Sequence, residues 1–267
     1  MKAVKKISAP RKITVRFFLQ KKVQPEASML GNGKERPAYP LYLYITYNRR
    51  NMQFKSNYGM FYTDMKDVED TDKGLMAFEE KLITKVIRYE ISLLRGKDEY
   101  DMKGLKDKYE VYATSIHSVL ETYLKPKLRS AILKTNNELQ HALNLNTDYY
   151  HNTVLRLYKA ASLVFDNFFK VLDKNLRDEI ETYQKLNELL PRITKYDFPT
   201  VIDWLDGSYK KELGLFLTKV FKHKPQFISS IHKLIDSAVE AKIKAIEKIE
   251  QKYAQAAKKK KETKKRQ

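Results

Sequence analysis

Residues 12–20, KITVRFFLQ, and residues 40–58, PLYLYITYNRRNMQFKSNY, decide the fold class of this chain. Both stretches alternate with a period of two and are rich in β-branched and aromatic residues, which is typical of β-strands. The polar segment 48–51 separates two apolar runs and predicts a four-residue hairpin turn. The predicted strands are 12–20, 40–47 and 52–58, all antiparallel, and a loop spans 21–39.

From residue 71 onward the apolar residues recur every three or four positions, which indicates helices. The first predicted helix ends near Gly96, and the acidic segment 64–72 closes the sheet before it. A second helix is predicted at 105–124, because Pro126 should break it. Further helical patterns lie near 127–144, 152–172 and 175–190, in a segment that ends at Phe221, and at about 226–257.

These patterns predict an α+β protein. A small N-terminal three-stranded antiparallel sheet with one helix precedes a larger all-α domain and a disordered basic tail. The predicted divisions are a basic N-terminal arm at 1–11, the sheet domain at 12–96, a helical domain at 97–257 and a disordered lysine-rich tail at 258–267.

Positive charge is concentrated at the two ends of the chain. Lys and Arg number 52 and Asp and Glu 33, so the formal net charge is +19. Residues 1–24 contain eight basic residues and no acid, and residues 258–267 contain seven basic residues and one acid. Such a distribution favours a polyanionic partner. The alternative for the tail is a solubilising end without a ligand.

Several classes of protein are excluded by what the sequence lacks. It has no cysteine, which excludes disulfides, thiolate metal sites and a cysteine nucleophile. It has no phosphate-binding GxxxxGK[ST] loop, no GxSxG elbow and no pair of histidines at zinc-binding spacing. No apolar run reaches the roughly 18 residues of a membrane span, and residues 1–16 have no apolar signal core. We therefore expect a cytoplasmic protein with no cofactor, no metal and no membrane partner, while a nuclease with dispersed metal ligands stays open.

The polar face of the predicted sheet is the candidate binding surface. A two- or three-stranded ribbon fits the major groove of duplex DNA, where Arg, Lys, Gln and Asn bond base edges or phosphates. Tyrosine hydroxyls can also bond phosphate oxygens. The candidate DNA-binding residues are Arg16, Tyr42, Tyr44, Arg49, Arg50, Gln53 and Lys55. The candidate non-specific phosphate contacts are Lys5, Lys6, Arg11, Lys12, Lys258, Lys259, Lys260 and Lys261.

Two other interpretations of this face stay open at the level of sequence. An antiparallel sheet commonly has one solvated polar face with no ligand. Tyrosines on a sheet can also stack on unpaired bases, so Tyr42 and Tyr44 leave RNA as a possible partner.

The segments ITVRFFLQKK, YPLYLYITYNRRNMQFKSNYGMF and GLMAFEEKLITKVIRYEISLLR carry a family resemblance over about residues 10–95. They resemble the N-terminal arm-type DNA-binding domain of phage-integrase-like tyrosine recombinases, most of all the Bacteroidetes mobile-element and phage versions. The resemblance implies a three-stranded sheet plus a helix, with the sheet in the major groove. One departure is Tyr44, where the family pattern commonly has a basic residue. The matching core residues are Pro40, Leu41, Tyr42, Leu43, Ile45, Tyr47, Asn48, Arg49 and Phe54. The contact residues that the resemblance implies are Arg16, Arg49, Arg50 and Lys55.

The catalytic signature of such recombinases is missing, because none of the five histidines begins an HxxR motif. Too few residues follow the sheet domain for a helical core-binding domain and a catalytic domain. We therefore expect a non-catalytic duplex-DNA-binding protein of a bacterial mobile element or phage, with an integrase or another mobile-element protein as a further partner. The alternative is a helical interaction or virion-associated protein that touches nucleic acid without reading sequence. The sequence does not decide the oligomeric state.

Overall fold

The computed structural model describes residues 12–29, 35–94, 100–135, 153–164, 168–193 and 199–266. The chain divides into two compact units, residues 1–110 and residues 111–267. The first unit contains an antiparallel sheet, and the described residues of the second unit are mainly helical, which confirms the predicted α+β class.

The boundary between the units lies after residue 110 instead of at the predicted position 96. Two side chains explain the difference. The Tyr109 hydroxyl donates to Glu79 over 3.1 Å, and Lys108 forms a buried ion pair with Glu90 at 2.6 Å. Both bonds join a segment after residue 96 to the helix that covers the sheet, and no local sequence pattern encodes such pairings.

The sheet of the first unit is built on one long strand, β3. β3 pairs antiparallel with four shorter strands. The strands are β1 (Ile13–Leu19), β2 (Glu26–Met29), β3 (Glu35–Tyr47), β4 (Arg50–Lys55) and β5 (Phe61–Tyr62). β1 and β4 pair with residues 41–47 of β3, whereas β2 and β5 pair with its first half. This central strand therefore sets the register of every other strand.

The three predicted strands are confirmed, but the loop predicted for 21–39 is wrong in part. β2 lies within that range, and β3 begins at Glu35, before the predicted start. Proline argues against a strand interior because it has no N–H to donate. Pro37 nevertheless lies in β3 opposite Ala27 of the short strand β2, where few ladder bonds are needed.

The apolar face of the sheet packs under helix α2 (Lys73–Leu93). Leu43 and Ile45 are fully buried, and on the helix Ile83 and Val86 are fully buried. Burying each such side chain contributes about 1.5–3 kcal/mol, so this layer makes a large contribution to the stability of the first unit.

A short helix, α1 (Met65–Thr71), precedes α2 in the acidic segment that the sequence assigned to a closing turn. The Asp64 side chain accepts from the backbone N–H of Asp67 over 2.9 Å, and Asp67 accepts in return from the backbone of Asp64. Such a capping box stabilises a helix start. Val68 on this helix is fully buried and packs with Leu19, Leu41 and Tyr62.

The remaining described helices extend from the end of the first unit through the second. They are α3 (Leu105–Tyr112), α4 (Ile116–Thr135), α5 (Val154–Val164), α6 (Phe168–Val171), α7 (Lys174–Ile193), α8 (Val201–Leu205), α9 (Ser208–Val220) and α10 (Pro225–Arg266). In the second unit α10 packs on α4, α7 and α9. Within the described ranges, none of the helices combines the length and the apolar character needed to cross a lipid bilayer.

The helix predicted at 105–124 is two helices, and the prediction that Pro126 ends a helix is wrong. The chain breaks before Ile116, where the Ser115 hydroxyl accepts from the backbone N–H of Ser118 over 3.2 Å. α4 then passes through Pro126, although proline inside a helix costs about 3 kcal/mol. Leu124 and Leu128, on either side of the proline, are fully buried, and their packing offsets that cost.

The last helix, α10, has 42 residues and includes the lysine-rich segment that the sequence assigned to a disordered tail. At 1.5 Å per residue its length is about 63 Å. Ile246 is its last buried residue among those whose side chains are described. The helix continues to Arg266 because alanine, lysine, glutamine and glutamate have high helix propensity and extend a helix that has already formed.

Candidate nucleic-acid interface

The three strands β1, β3 and β4 bring nine side chains together in three rows across one face of the sheet. Strand pairing sets the rows, since residues opposite each other in register point to the same face. The rows are Thr14–Thr46–Asn51, Arg16–Tyr44–Gln53 and Phe18–Tyr42–Lys55. We call these nine residues the polar sheet face. They include two cations and no carboxylate.

Exposure confirms the alternation that the sequence predicted. Arg16, Gln53 and Lys55 are exposed, whereas their strand neighbours on the other face are buried or half-buried. Tyr42 and Tyr44 are half-buried in the central strand. Four of these five side chains donate hydrogen bonds as cations or hydroxyls, and the Gln53 amide both donates and accepts. The face can therefore bond anionic oxygens and base edges over a continuous area.

Aromatic rings form one side of the polar sheet face. The rings of Phe18 and Tyr42 lie 5.9 Å apart at an interplanar angle of 49°. The Lys55 ammonium lies 4.8 Å from the centre of the Phe61 ring. This cation–π contact joins Lys55 of β4 to Phe61 of β5 and so restricts the position of one of the two cations.

The hairpin between β3 and β4 has a two-residue turn instead of the predicted four. Tyr47 pairs with Arg50, and only Asn48 and Arg49 lie between the strands. Their φ angles are 49° and 60°, which is the signature of a type I′ turn. Arg49 is exposed at the tip.

Arg50 lies on the opposite face from the other predicted contacts. Its guanidinium forms an ion pair with Asp101 at 3.3 Å. Burial opposes the ionised form of Asp101. Hydrogen bonds from Lys103, and the charges of Lys103 and Arg50, outweigh burial and lower the pKa of Asp101. Arg50 therefore differs from Arg49 in placement, and its role as a DNA contact stays a prediction.

A buried carboxylate holds the segment that follows β4. Glu79 of α2 accepts from the Ser56 hydroxyl, from the backbone N–H of Asn57 over 2.9 Å and from the Tyr109 hydroxyl. Burial raises the pKa of Glu79, although the three hydrogen bonds favour its charged form. Burial and the neighbouring charge of Glu79 likewise raise the pKa of Tyr109. The polar sheet face is thus supported from behind by a polar network as well as by apolar packing.

Gly59 lies in the same supporting segment. Its backbone N–H donates to the Ser56 hydroxyl over 2.8 Å. A Cβ at this position would lie 2.7 Å from the Cβ of Leu41, which is closer than two carbons can approach. The residue type is therefore fixed by the close packing of this turn on β3.

The predicted non-specific contacts fall in different places. Lys12 is exposed immediately before β1. Lys5, Lys6 and Arg11 lie outside the described residues. The segment 258–261 lies in α10, which belongs to the second unit.

Sequence reasoning did not single out two residues of this region, Phe61 and Asp101. Phe61 lies in a two-residue strand that is too short to show alternation. The side of the strand on which Arg50 lies could be predicted, because Arg50 has the same parity as Met52 and Phe54. Its partner Asp101 carries no local signal, since the pairing depends on the fold.

The polar sheet face combines several kinds of hydrogen-bonding and stacking groups. Two cations, two amides, hydroxyls and aromatic rings can hydrogen-bond to a ligand or stack on it. In the parts of the chain that the structure describes, no three or more Asp, Glu or His side chains cluster in a way that could hold a metal ion. Comparisons with protein-family models, with curated protein sequences and with solved structures find no match for this chain.

Proposed function

We propose that this chain binds duplex DNA through the polar sheet face and performs no catalysis. The single observation that carries the proposal is the row Arg16–Tyr44–Gln53 in register across three strands, on a face with no carboxylate. Arginine bonds guanine and glutamine bonds adenine in the major groove, which admits a β-ribbon. The side chains of this row are of the types that bond base edges in the major groove.

The biological setting that we propose follows the family resemblance of residues 10–95. An accessory or regulatory protein of a bacterial mobile element or phage would occupy arm-type sites and act beside an integrase. The proposed location is the cytoplasm, on the nucleoid. The basic end of α10 would add affinity for phosphates in general, because lysines that release counterions strengthen binding to any sequence.

The test is a selection from randomised duplex DNA with the full chain at about 150 mM salt, where the Debye length is about 8 Å and long-range attraction is weak. A reproducible motif is expected. Arg16→Gln should abolish enrichment of that motif, whereas the matched control Arg88→Gln, an exposed arginine of α2, should leave it unchanged. Failure of the full chain to enrich any motif would contradict the proposal and favour the interaction-protein alternative.

The contribution of α10 is tested separately by replacing Lys258, Lys259, Lys260 and Lys261 with glutamine. Glutamine keeps the helix propensity close to that of lysine while it removes the charge. The slope of log K against log salt should flatten by about 0.9 for each lost phosphate contact, with the selected motif unchanged. Loss of the motif in this variant would show that sequence reading is not confined to the sheet.

Single-stranded nucleic acid is the second candidate, because aromatic rings lie on the same face. Phe18 and Tyr42 are in ring contact, and stacking of a base on an aromatic side chain contributes about 1–3 kcal/mol. Competition between a selected duplex and its separate strands distinguishes the two ligands. RNA or single-stranded DNA would be favoured by two results together. The single strands would displace the bound duplex from the protein more effectively than the unlabelled duplex does, and Tyr42→Ala would lower the affinity more than Arg16→Gln does.

A further inference from the structure

The hairpin tip contains an arginine in a backbone conformation that arginine disfavours. Both turn residues have positive φ, 49° at Asn48 and 60° at Arg49. Asparagine tolerates this left-handed region because its short side chain bonds the local backbone, but other L-residues bring Cβ too close to a carbonyl oxygen. The preferred sequence for such a turn is Asn-Gly, so Arg49 occupies a position that favours glycine.

The two arginines of the tip differ in what surrounds them. Arg50 lies in β4, where it pairs with Tyr47 of β3, and its side chain forms the ion pair with Asp101. Arg49 is exposed between the strands, where its side chain adds no apolar burial to the fold. A residue that raises the conformational energy of the turn without burying apolar surface is more easily explained by ligand contact than by stability.

We infer that Arg49 is a phosphate-binding residue, retained at the tip at a cost in stability. The inference rests on the proposed function and assigns the backbone phosphate of the duplex, not a base edge, as its ligand. Because the turn has only two residues, the Cα of Arg49 is fixed relative to β3 and β4. The exposed Arg49 side chain therefore lies at the tip of the hairpin. The planar guanidinium matches two phosphate oxygens at once.

The experiment compares three variants of the full chain, Arg49→Gly, Arg49→Lys and Asn48→Gly. Unfolding is followed by hydrogen exchange of the β3 and β4 amides as temperature rises, and binding is followed with a short mixed-sequence duplex at several salt concentrations. Arg49→Gly should raise the midpoint of strand unfolding by about 4 °C, because glycine adopts positive φ without strain. The same variant should bind about fivefold more weakly at 150 mM salt and flatten the salt slope by about 0.9.

The other two variants separate charge from conformation. Arg49→Lys keeps the charge and the strain, so its midpoint should match that of the natural chain and its salt slope should be retained. Asn48→Gly changes the neighbouring turn residue without changing charge, and it should alter neither stability nor salt slope. Loss of affinity in Asn48→Gly would contradict the inference, since it would attribute the effect to the turn and not to the arginine.

Each failure has a distinct meaning. Equal binding and an equal salt slope for Arg49→Gly would overturn the assignment of phosphate binding to Arg49 while leaving the proposed function intact. A lower midpoint for Arg49→Gly would overturn the stability cost, because the arginine would then stabilise the turn. Absence of duplex binding by the natural chain itself would instead defeat the proposed function.

Discussion

The two faces of the sheet in the first unit differ in burial and in polarity. On one face Leu43 and Ile45 are fully buried beneath α2. On the other face their strand neighbours Tyr42 and Tyr44 are half-buried among exposed polar side chains. Adjacent residues of the same strand therefore differ in role: one side stabilises the fold, and under the proposed function the other side contacts the ligand. Substitutions on one face should therefore change stability, whereas substitutions on the other face should change binding.

The largest effect is expected from the buried face. Leu43→Ala should lower the free energy of unfolding of the first unit by about 2–5 kcal/mol, since it leaves a cavity in a layer with no solvent access. Hydrogen exchange of β3 amides measures the loss, and exchange of α7 amides in the second unit is the control. Equal acceleration in both units would contradict the two-unit description.

A smaller effect is expected from the polar network behind the sheet. Glu79→Gln should lower stability by about 1–3 kcal/mol at acidic pH, because the amide nitrogen cannot accept from the Ser56 hydroxyl. Burial raises the pKa of Glu79 above the ordinary 4.5, so the folded state binds the proton more tightly than the unfolded state.

The sign of the pH dependence follows from that raised pKa. The stability that protonated Glu79 provides is fully present below the unfolded pKa and is lost as the pH rises through the folded pKa. The natural chain should therefore lose part of its advantage over Glu79→Gln as the pH rises above 4.5. Urea midpoints of both proteins at several pH values measure this, and a constant difference would contradict it.

The exposed face should respond in binding and not in stability. Arg16→Gln should weaken duplex binding about tenfold, equivalent to about 1.4 kcal/mol, through loss of a charged contact. Its stability should change by less than about 0.5 kcal/mol, as is usual for exposed positions. Titration of a labelled duplex and urea unfolding measure the two quantities, with Arg88→Gln as the matched control. A stability loss comparable to that of Leu43→Ala would show that the face is structural.

The smallest effect is expected where the two faces meet at the edge of the hairpin. Arg50→Gln should lower the free energy of unfolding by less than about 1 kcal/mol, because the ion pair of Arg50 with Asp101 is partly exposed and screened by solvent. Asp101→Asn should lower the free energy of unfolding by a similar amount. The double variant should lower it by less than the sum of the two single changes. A double-mutant cycle in urea unfolding gives this coupling energy, and full additivity would show that the ion pair contributes nothing.

The hairpin shows how much of the structure could be predicted from the sequence pattern. Alternation between Leu41 and Lys55 assigned most side chains to the correct face, because a strand reverses face at every residue. The same parity places Arg50 on the apolar side, where it pairs with Asp101, and its assignment as a DNA contact stays a prediction. β2 and β5 could not be found in this way, since strands of two to four residues are defined by pairing with β3 and not by their own pattern.

The sequence by itself determined the α+β class, the three main strands, the two faces of the sheet and the concentration of charge at the chain ends. These properties depend on periodicity and composition, which are local. The tertiary structure decided which strands flank β3, that α4 continues through Pro126, that Glu79 is buried with three donors and that Arg50 pairs with Asp101. Each of these depends on residues distant in sequence, whose packing and desolvation energies outweigh local preference once the chain has folded.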